Sequence, residues 1–296
     1  GNDQLVGTGG LDGPSGGLDR LFGGAGDDSF FLTATPTPFN YIGPNFSGPE
    51  SLFNFDQVDG GAGFDSVYLP IRTAFYNRAR GGSDNVAFGV HVNIGAFAGI
   101  ERLVGTALVD RLSGAPTNDV LEGGAGDDEV EDSQGGDDIL RGDAGDDIMT
   151  VFRSDTQAGW TVRLEGGEGD DVLRVATSAG LGTTLVAGGA GDDRIDLFGS
   201  RGVLRIDVGP GRDTVRIDPA FRFNEGPVTL TAFMPGDDGD VVDFSLYARF
   251  IGAWDGMTDP FVSGGMRLVQ IGADAVLQAR RQAGSELLDL FIFENT

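Results

Sequence analysis

The six residues GGAGDD stand at Gly23–Asp28, Gly123–Asp128 and Gly188–Asp193, with GDAGDD at Gly142–Asp147 and GGEGDD at Gly166–Asp171. Glycine takes positive φ at little steric cost, so such a turn bends until its carbonyl oxygens face one point. The sixth residue adds a carboxylate, and the turn then offers only hard oxygen ligands, the set that suits calcium. The candidate ligands are the first and third residues and the sixth-position acid of each turn. These are Gly23, Ala25 and Asp28; Gly60, Ala62 and Asp65; Gly123, Ala125 and Asp128; Gly142, Ala144 and Asp147; Gly166, Glu168 and Asp171; and Gly188, Ala190 and Asp193. Gly-Asp pairs also close plain hairpins. Turn formation alone, however, does not require an acid to recur in frame.

That frame is nine residues long. Each turn is followed by x-U-x with U apolar, as in SFF after Asp28, EVE after Asp128 and RID after Asp193. Stepping by nine from Gly123 exposes weaker members, GAPTNDVLE at Gly114, GTALVDRLS at Gly105 and AFAGIERLV at Ala96, which put Asp119, Asp110 and Glu101 in the sixth position. Downstream, SQGGDDILR and GDAGDDIMT place Asp138 and Asp147 there, while Asp3, Asp12 and Asp19 fill it near the start. The U residues are Leu103, Leu112, Leu121, Val130, Leu140 and Met149. Three residues are too few for an independent strand, but they can pair with the same segment of the next coil and point U inward. The expected fold class is all-β, a right-handed parallel β-roll or β-solenoid.

The pattern G-G-x-G-x-D-x-U-x resembles the calcium-binding nonapeptide of the RTX (repeats-in-toxin) family over about 1–31, 60–68 and 96–216. The resemblance implies two nonapeptides per coil, with multiple Ca2+ ions between turns stacked on the same side. On that geometry one long column runs through Asp110, Asp128, Asp147, Asp171, Asp193 and Asp213, and a shorter one through Glu101, Asp119 and Asp138. After Asp147 the acids fall 24, 22 and 20 residues apart, so longer connections such as TQAGW and SAGLGTT replace the turns on one side. The intervening WTVRLE, TTLVAG, DRIDLF, GVLRIDV and DTVRID read as strands.

Three blocks follow: a first repeat block at 1–95, with a Pro/Phe-rich insertion at about 32–59; a main calcium roll at 96–227; and a cap at 228–296. The insertion carries Pro36, Pro38, Pro44 and Pro49 and reads as a flap or contact surface. Residues 66–95 add strands or coils without glycine turns. A solenoid end exposes unpaired backbone and apolar core, so Phe233, Phe244, Tyr247, Phe250 and Trp254 are expected to cap it. Asp240, Asp243 and Ser245 match the GD-x-U-D-U-S segment of type I secretion substrates, which implies a type I exporter as a partner.

The 46 acidic and 20 basic residues give a net charge of −26, which repels nucleic acid and anionic membranes and favours cations. No apolar stretch reaches the length of a membrane span, so membrane insertion is not expected. There is no cysteine, which excludes disulfides and thiolate chemistry. No signal peptide is recognisable at the start, and the absence of a leading Met suggests a piece of a longer polypeptide. Gly13–Gly17 satisfies G-x-S-x-G, but a nucleophile elbow needs a strand before it, a helix after it and a histidine partner. The single histidine, His91, alternates with Val90, Val92 and Ile94 and is expected to face solvent.

No catalytic residues are therefore expected. The reading is a calcium-binding RTX roll of a noncatalytic protein, secreted or at the cell surface, that folds on calcium after type I export. It could self-associate into a surface layer or bind a cell-surface glycan. The alternative is the folding and secretion module of a hydrolase or toxin whose catalytic domain lies upstream.

Overall fold

The structure, a computed structural model, describes residues 1–6, 20–32, 57–69, 72–78, 82–88, 91–153, 159–177, 182–199, 202–218, 227–236, 239–245, 258–280 and 286–294. The short apolar tails after the turns form strands that pair with the equivalent tail one coil away. A long sheet runs in the order Gln4–Val6, Ser29–Phe31, Ser66–Tyr68, Arg102–Val104, Val120–Ala125, Asp138–Ala144, Thr161–Glu168, Gly182–Ala190, Gly202–Asp207 and Val228–Thr231, every neighbouring pair being parallel. A second parallel sheet runs from His91–Asn93 through Arg111–Ser113, Glu129–Asp132, Ile148–Arg153, Val172–Thr177, Arg194–Gly199 and Thr214–Ile217 to Val241–Asp243. The chain alternates between the two sheets, which makes the fold a parallel β-solenoid. Among the described residues the one helical element is a single 3-10 turn at Ile94–Ala96.

Register stacks U on U. In the long sheet Phe30, Val67, Leu103, Leu121 and Leu140 lie in successive register, and Leu164, Val186, Ile206 and Leu230 continue the row. Leu112, Val130, Met149, Leu173, Ile195 and Val215 form the matching row of the second sheet. Both rows are buried and belong to one core cluster. Each fully buried side chain of this size contributes about 1.5–3 kcal/mol, so the core is a sum of equal small rungs rather than one dense centre. Outside the core, Arg102, Glu122, Arg141 and Glu165 make a chain of ion pairs at 2.5–2.8 Å across four coils of the long sheet.

Two expectations need refinement. Within 66–95, Arg72–Arg78 and Gly82–Phe88 pair antiparallel between the coil strands Ser66–Tyr68 and His91–Asn93, so this stretch combines coil strands with a hairpin. At the other end Val228–Thr231 is the last coil strand of the long sheet; Leu287–Phe293 pairs parallel with it, and Asp274–Arg280 and Met266–Ile271 then extend the sheet antiparallel. Phe233 meets Phe293 at 5.0 Å and Phe244 meets Phe291 edge-on at 5.7 Å, closing the core as expected of a cap. Tyr247, Phe250 and Trp254, residues 33–56 of the Pro-rich insertion, Gly13–Gly17, Asp12 and Asp19 lie outside the described residues, and the side chain of His91 is not described; the end of the insertion enters the strand Gln57–Ala62, which pairs parallel with Arg20–Ala25.

Candidate metal centres along the roll

Turns leading from the long sheet to the second sheet stack into one column, and the sixth-position acid is its rung. The backbone N–H of each acid donates to Oδ1 of the acid one coil on: Asp110 to Asp128, Asp128 to Asp147, Asp147 to Asp171, Asp171 to Asp193 and Asp193 to Asp213, at 2.7–2.9 Å. The column runs in the expected order and gains one further rung, because the Asp213 N–H donates to Asp240 Oδ1 at 2.9 Å. On the opposite side Asp3, Asp28, Asp65 and Glu101 stack by the same N–H to carboxylate bond, as do Asp119 and Asp138. Asp28 and Asp65 thus join the shorter column.

The second carboxylate oxygen divides these acids. In Asp28, Asp65, Asp128, Asp147, Asp171, Asp193 and Asp213, Oδ2 is buried without a hydrogen-bond partner. A buried anionic oxygen without a donor is strongly destabilising, so this arrangement calls for a cation. At Gly123 and Gly142 the missing side chain is what leaves room beside the acid. A methyl group on Gly123 would run into Asp128 Oδ2 and lie 2.8 Å from the Gly142 carbonyl oxygen, and one on Gly142 would meet Asp147 Oδ2 and lie 2.5 Å from the Gly166 carbonyl oxygen. Carboxylate oxygen and next-coil carbonyl oxygen therefore crowd the same space. Among the described residues no three acidic or histidine side chains converge on one point. Each site is instead a carboxylate with backbone carbonyls, a hard-oxygen set that fits calcium.

Burial raises acids of both columns, Asp119 and Asp138 included, the latter to about 8. Burial, opposed by the N–H bond from the preceding rung and reinforced by neighbouring carboxylates, pushes Asp128, Asp147 and Asp193 up to about 7 and Asp171 and Asp213 to about 6. Asp65 is raised as well, chiefly by burial. At these oxygens a divalent ion competes with protons.

The other sixth-position acids are met by protein donors. Asp110 Oδ2 accepts from the Thr106 N–H at 2.5 Å, and its Oδ1 accepts from Thr106 Oγ1 at 3.2 Å. Asp119 Oδ2 accepts from the Ala115 N–H at 2.6 Å, and Oδ1 from Thr117 Oγ1 at 2.8 Å. Asp240 Oδ2 accepts from the Met234 N–H at 2.6 Å. The GTALVD and GAPTND turns have lost their second and fourth glycines, and the tightened backbone turns an N–H, not a carbonyl, onto the acid. Asp138 is paired with Arg153. The sequence expectation grouped Asp110, Asp119 and Asp138 with the other ligands; the structure sets them apart by this satisfied oxygen.

Two features escaped the reading of the sequence. Arg153 and Asp132 form a buried ion pair at 2.6 Å that no repeat position announces. The fifth-position residues form a second, exposed ladder: the N–H groups of Asp146, Asp170, Asp192 and Arg212 donate to Oδ1 of Asp127, Asp146, Asp170 and Asp192 respectively, at 2.8–3.1 Å. The doubled acid of GDD was its signal.

A parallel β-solenoid whose glycine turns stack buried carboxylates against backbone carbonyls is a calcium β-roll. The family model of the RTX calcium-binding nonapeptide repeat matches four copies in this chain, at residues 15–33, 96–131, 133–150 and 178–201. The chain is therefore an RTX repeat protein, and its repeats are of the calcium-binding kind. A search among curated proteins found no match to it.

Proposed function

We propose that this chain is a calcium-triggered folding module of a noncatalytic protein exported by a type I system to the extracellular medium or the cell surface. The observation that carries the reading is the set of seven buried, donorless Oδ2 atoms at the glycine-kept turns, those with glycine in the fourth position. Without a cation they set buried anions in rows, and the net charge of −26 adds repulsion along the whole chain. Where calcium is scarce the chain stays open and able to thread an exporter; where calcium is abundant the ions bind and the coils close. Metal affinity is then folding free energy. Extracellular modules need dissociation constants of only about 10⁻⁴–10⁻³ M. The match of Asp240, Asp243 and Ser245 to the segment that flanks type I export signals supports the export route.

The experiment is limited proteolysis and circular dichroism at roughly 10⁻⁷ M and 10⁻³ M free calcium, which bracket the range of intracellular sensors and extracellular modules. A chain that is cleaved and β-poor at the first level and resistant and β-rich at the second supports the proposal; an equally folded chain at both levels refutes it. Electron microscopy at the higher level tests assembly: sheets or filaments support a surface layer, and single particles at every protein concentration contradict it.

A further inference from the structure

We infer that Arg153 is a built-in cation, and that at the Ser133–Asp138 turn it takes the place a calcium ion takes in the glycine-kept turns. The inference rests on the calcium reading of those turns. The SQGGDD turn offers the same kinds of oxygen, and the guanidinium collects them. Nη1 donates to the Gln134 carbonyl, and Nη2 donates to the Gly136 carbonyl at 3.4 Å and to Asp138 Oδ2. Asp132 Oδ2 is 2.6 Å from the same Nη2. The side chains of Arg153, Asp132 and Asp138 are all fully buried. A charge so deep is tolerated only when paired and hydrogen-bonded, so the guanidinium is part of the turn and not a surface contact. The planar fork of donors suits arginine for gathering carbonyl and carboxylate oxygens at once.

Position explains why a protein cation is used here. Asp138 is the last sixth-position acid that the repeat frame supplies on this side, because the next connection, SDTQAG from Ser154, has no glycine pair and no nonapeptide in its sequence. Arg153 ends the strand Ile148–Arg153 and points into the core side with Met149 and Val151, so its long side chain reaches back to the turn below. Trp160, at the start of the next coil, places its ring 5.9 Å from the guanidinium carbon and roofs the pair. By contrast, Oδ2 of Asp128, Asp147, Asp171, Asp193 and Asp213 meets no such donor. The short column is thus terminated by a cation that cannot be chelated.

The test is the number of calcium ions bound per chain, measured by equilibrium dialysis with atomic emission on the full chain. Arg153→Ala should bind one more ion than wild type, and Asp138→Asn should bind the same number as wild type, while Asp147→Asn binds fewer. Should Arg153→Ala fail to fold, the contrast between Asp138→Asn and Asp147→Asn decides alone. An unchanged count in folded Arg153→Ala, or the loss of an ion in Asp138→Asn, overturns the inference and leaves the calcium reading of the long column standing. Wild-type protein that bound no calcium would defeat both.

Discussion

The turn Gly123–Asp128 and the turn Gly105–Asp110 are neighbours in one column, joined by the Asp110 N–H to Asp128 Oδ1 bond, yet they treat the second oxygen of their acids in opposite ways. In the first, glycines at positions 1, 2 and 4 point carbonyls inward and leave Asp128 Oδ2 without a donor. In the second, Thr106 and Leu108 stand where glycines would, and the Thr106 N–H and hydroxyl hold Asp110. The acid is kept in both; only the supply of donors to its second oxygen changes. An aspartate at the sixth position is therefore a rung in both kinds of turn, and among the described residues its second oxygen is left without a donor only where the fourth glycine is kept.

The largest expected effect that sharpens this contrast comes from the middle of the glycine-kept run. At saturating calcium, Asp147→Ala should remove a rung and a metal ligand together and cost about 3–5 kcal/mol, the range for breaking one partner of a buried charge pair. Asp110→Ala should cost about 1–3 kcal/mol, the penalty of buried donors left unpaired. Calcium-dependent denaturant melts of the two variants measure the gap, and equal losses would break the comparison. Asp12→Ala should lie below both.

Next is the glycine itself. Gly142→Ala puts a methyl group where Asp147 Oδ2 and the Gly166 carbonyl meet, so it should weaken calcium binding by tenfold or more without touching a carboxylate, which a calcium titration followed by circular dichroism would read.

The third is a pH effect whose sign depends on calcium. In chelator, the folded-state values of about 6–7 for Asp128, Asp147, Asp171, Asp193 and Asp213 lie above the ordinary 3.8, so the folded form binds extra protons. Their stabilising contribution is complete below about pH 4 and is lost as pH rises through about 6–7. The calcium-free roll should gain β-signal on acidification from pH 8 to pH 5. With calcium present the dependence reverses, since protons compete for the same oxygens and the half-saturating calcium concentration rises as pH falls. A melt series at several pH values, with and without chelator, checks both signs.

The smallest effect is at Asp143, which occupies the second turn position at φ 75°, where the equivalent Gly124 and Gly167 also have positive φ. Asp143→Gly should relieve left-handed strain and stabilise the roll by about 1 kcal/mol. A lower melting midpoint would contradict the role given to that position.

How much of this could be read from the residues follows from what a nine-residue frame records. Leu103, Leu112, Leu121, Val130, Leu140 and Met149 were placed inward by the frame, and all six are fully buried. The order of rungs from Asp110 to Asp213 came from the same count. Asp240 was seen only as part of a flanking segment, because 27 residues and a change of turn separate it from Asp213. The fourth glycine was the legible cue for the division among the acids: Leu108 and Thr117 replace it at the Asp110 and Asp119 turns, whereas the Asp147 turn keeps it and has Asp143 in the second position. Arg153 could not be found this way. It lies 15 residues from Asp138 and 21 from Asp132, outside any repeat position, and only the coil geometry brings the three together. The hairpin at 72–88 was likewise hidden, since alternating apolar residues fit a coil strand and a hairpin strand alike.

The central claim is that metal goes where the glycines are kept. Anomalous X-ray diffraction from crystals grown in calcium measures it site by site. The account predicts ion density beside Oδ2 of Asp28, Asp65, Asp128, Asp147, Asp171, Asp193 and Asp213, with none beside Oδ2 of Asp110, Asp119, Asp138 or Asp240. Density spread equally over both groups, or missing from the first, would contradict it.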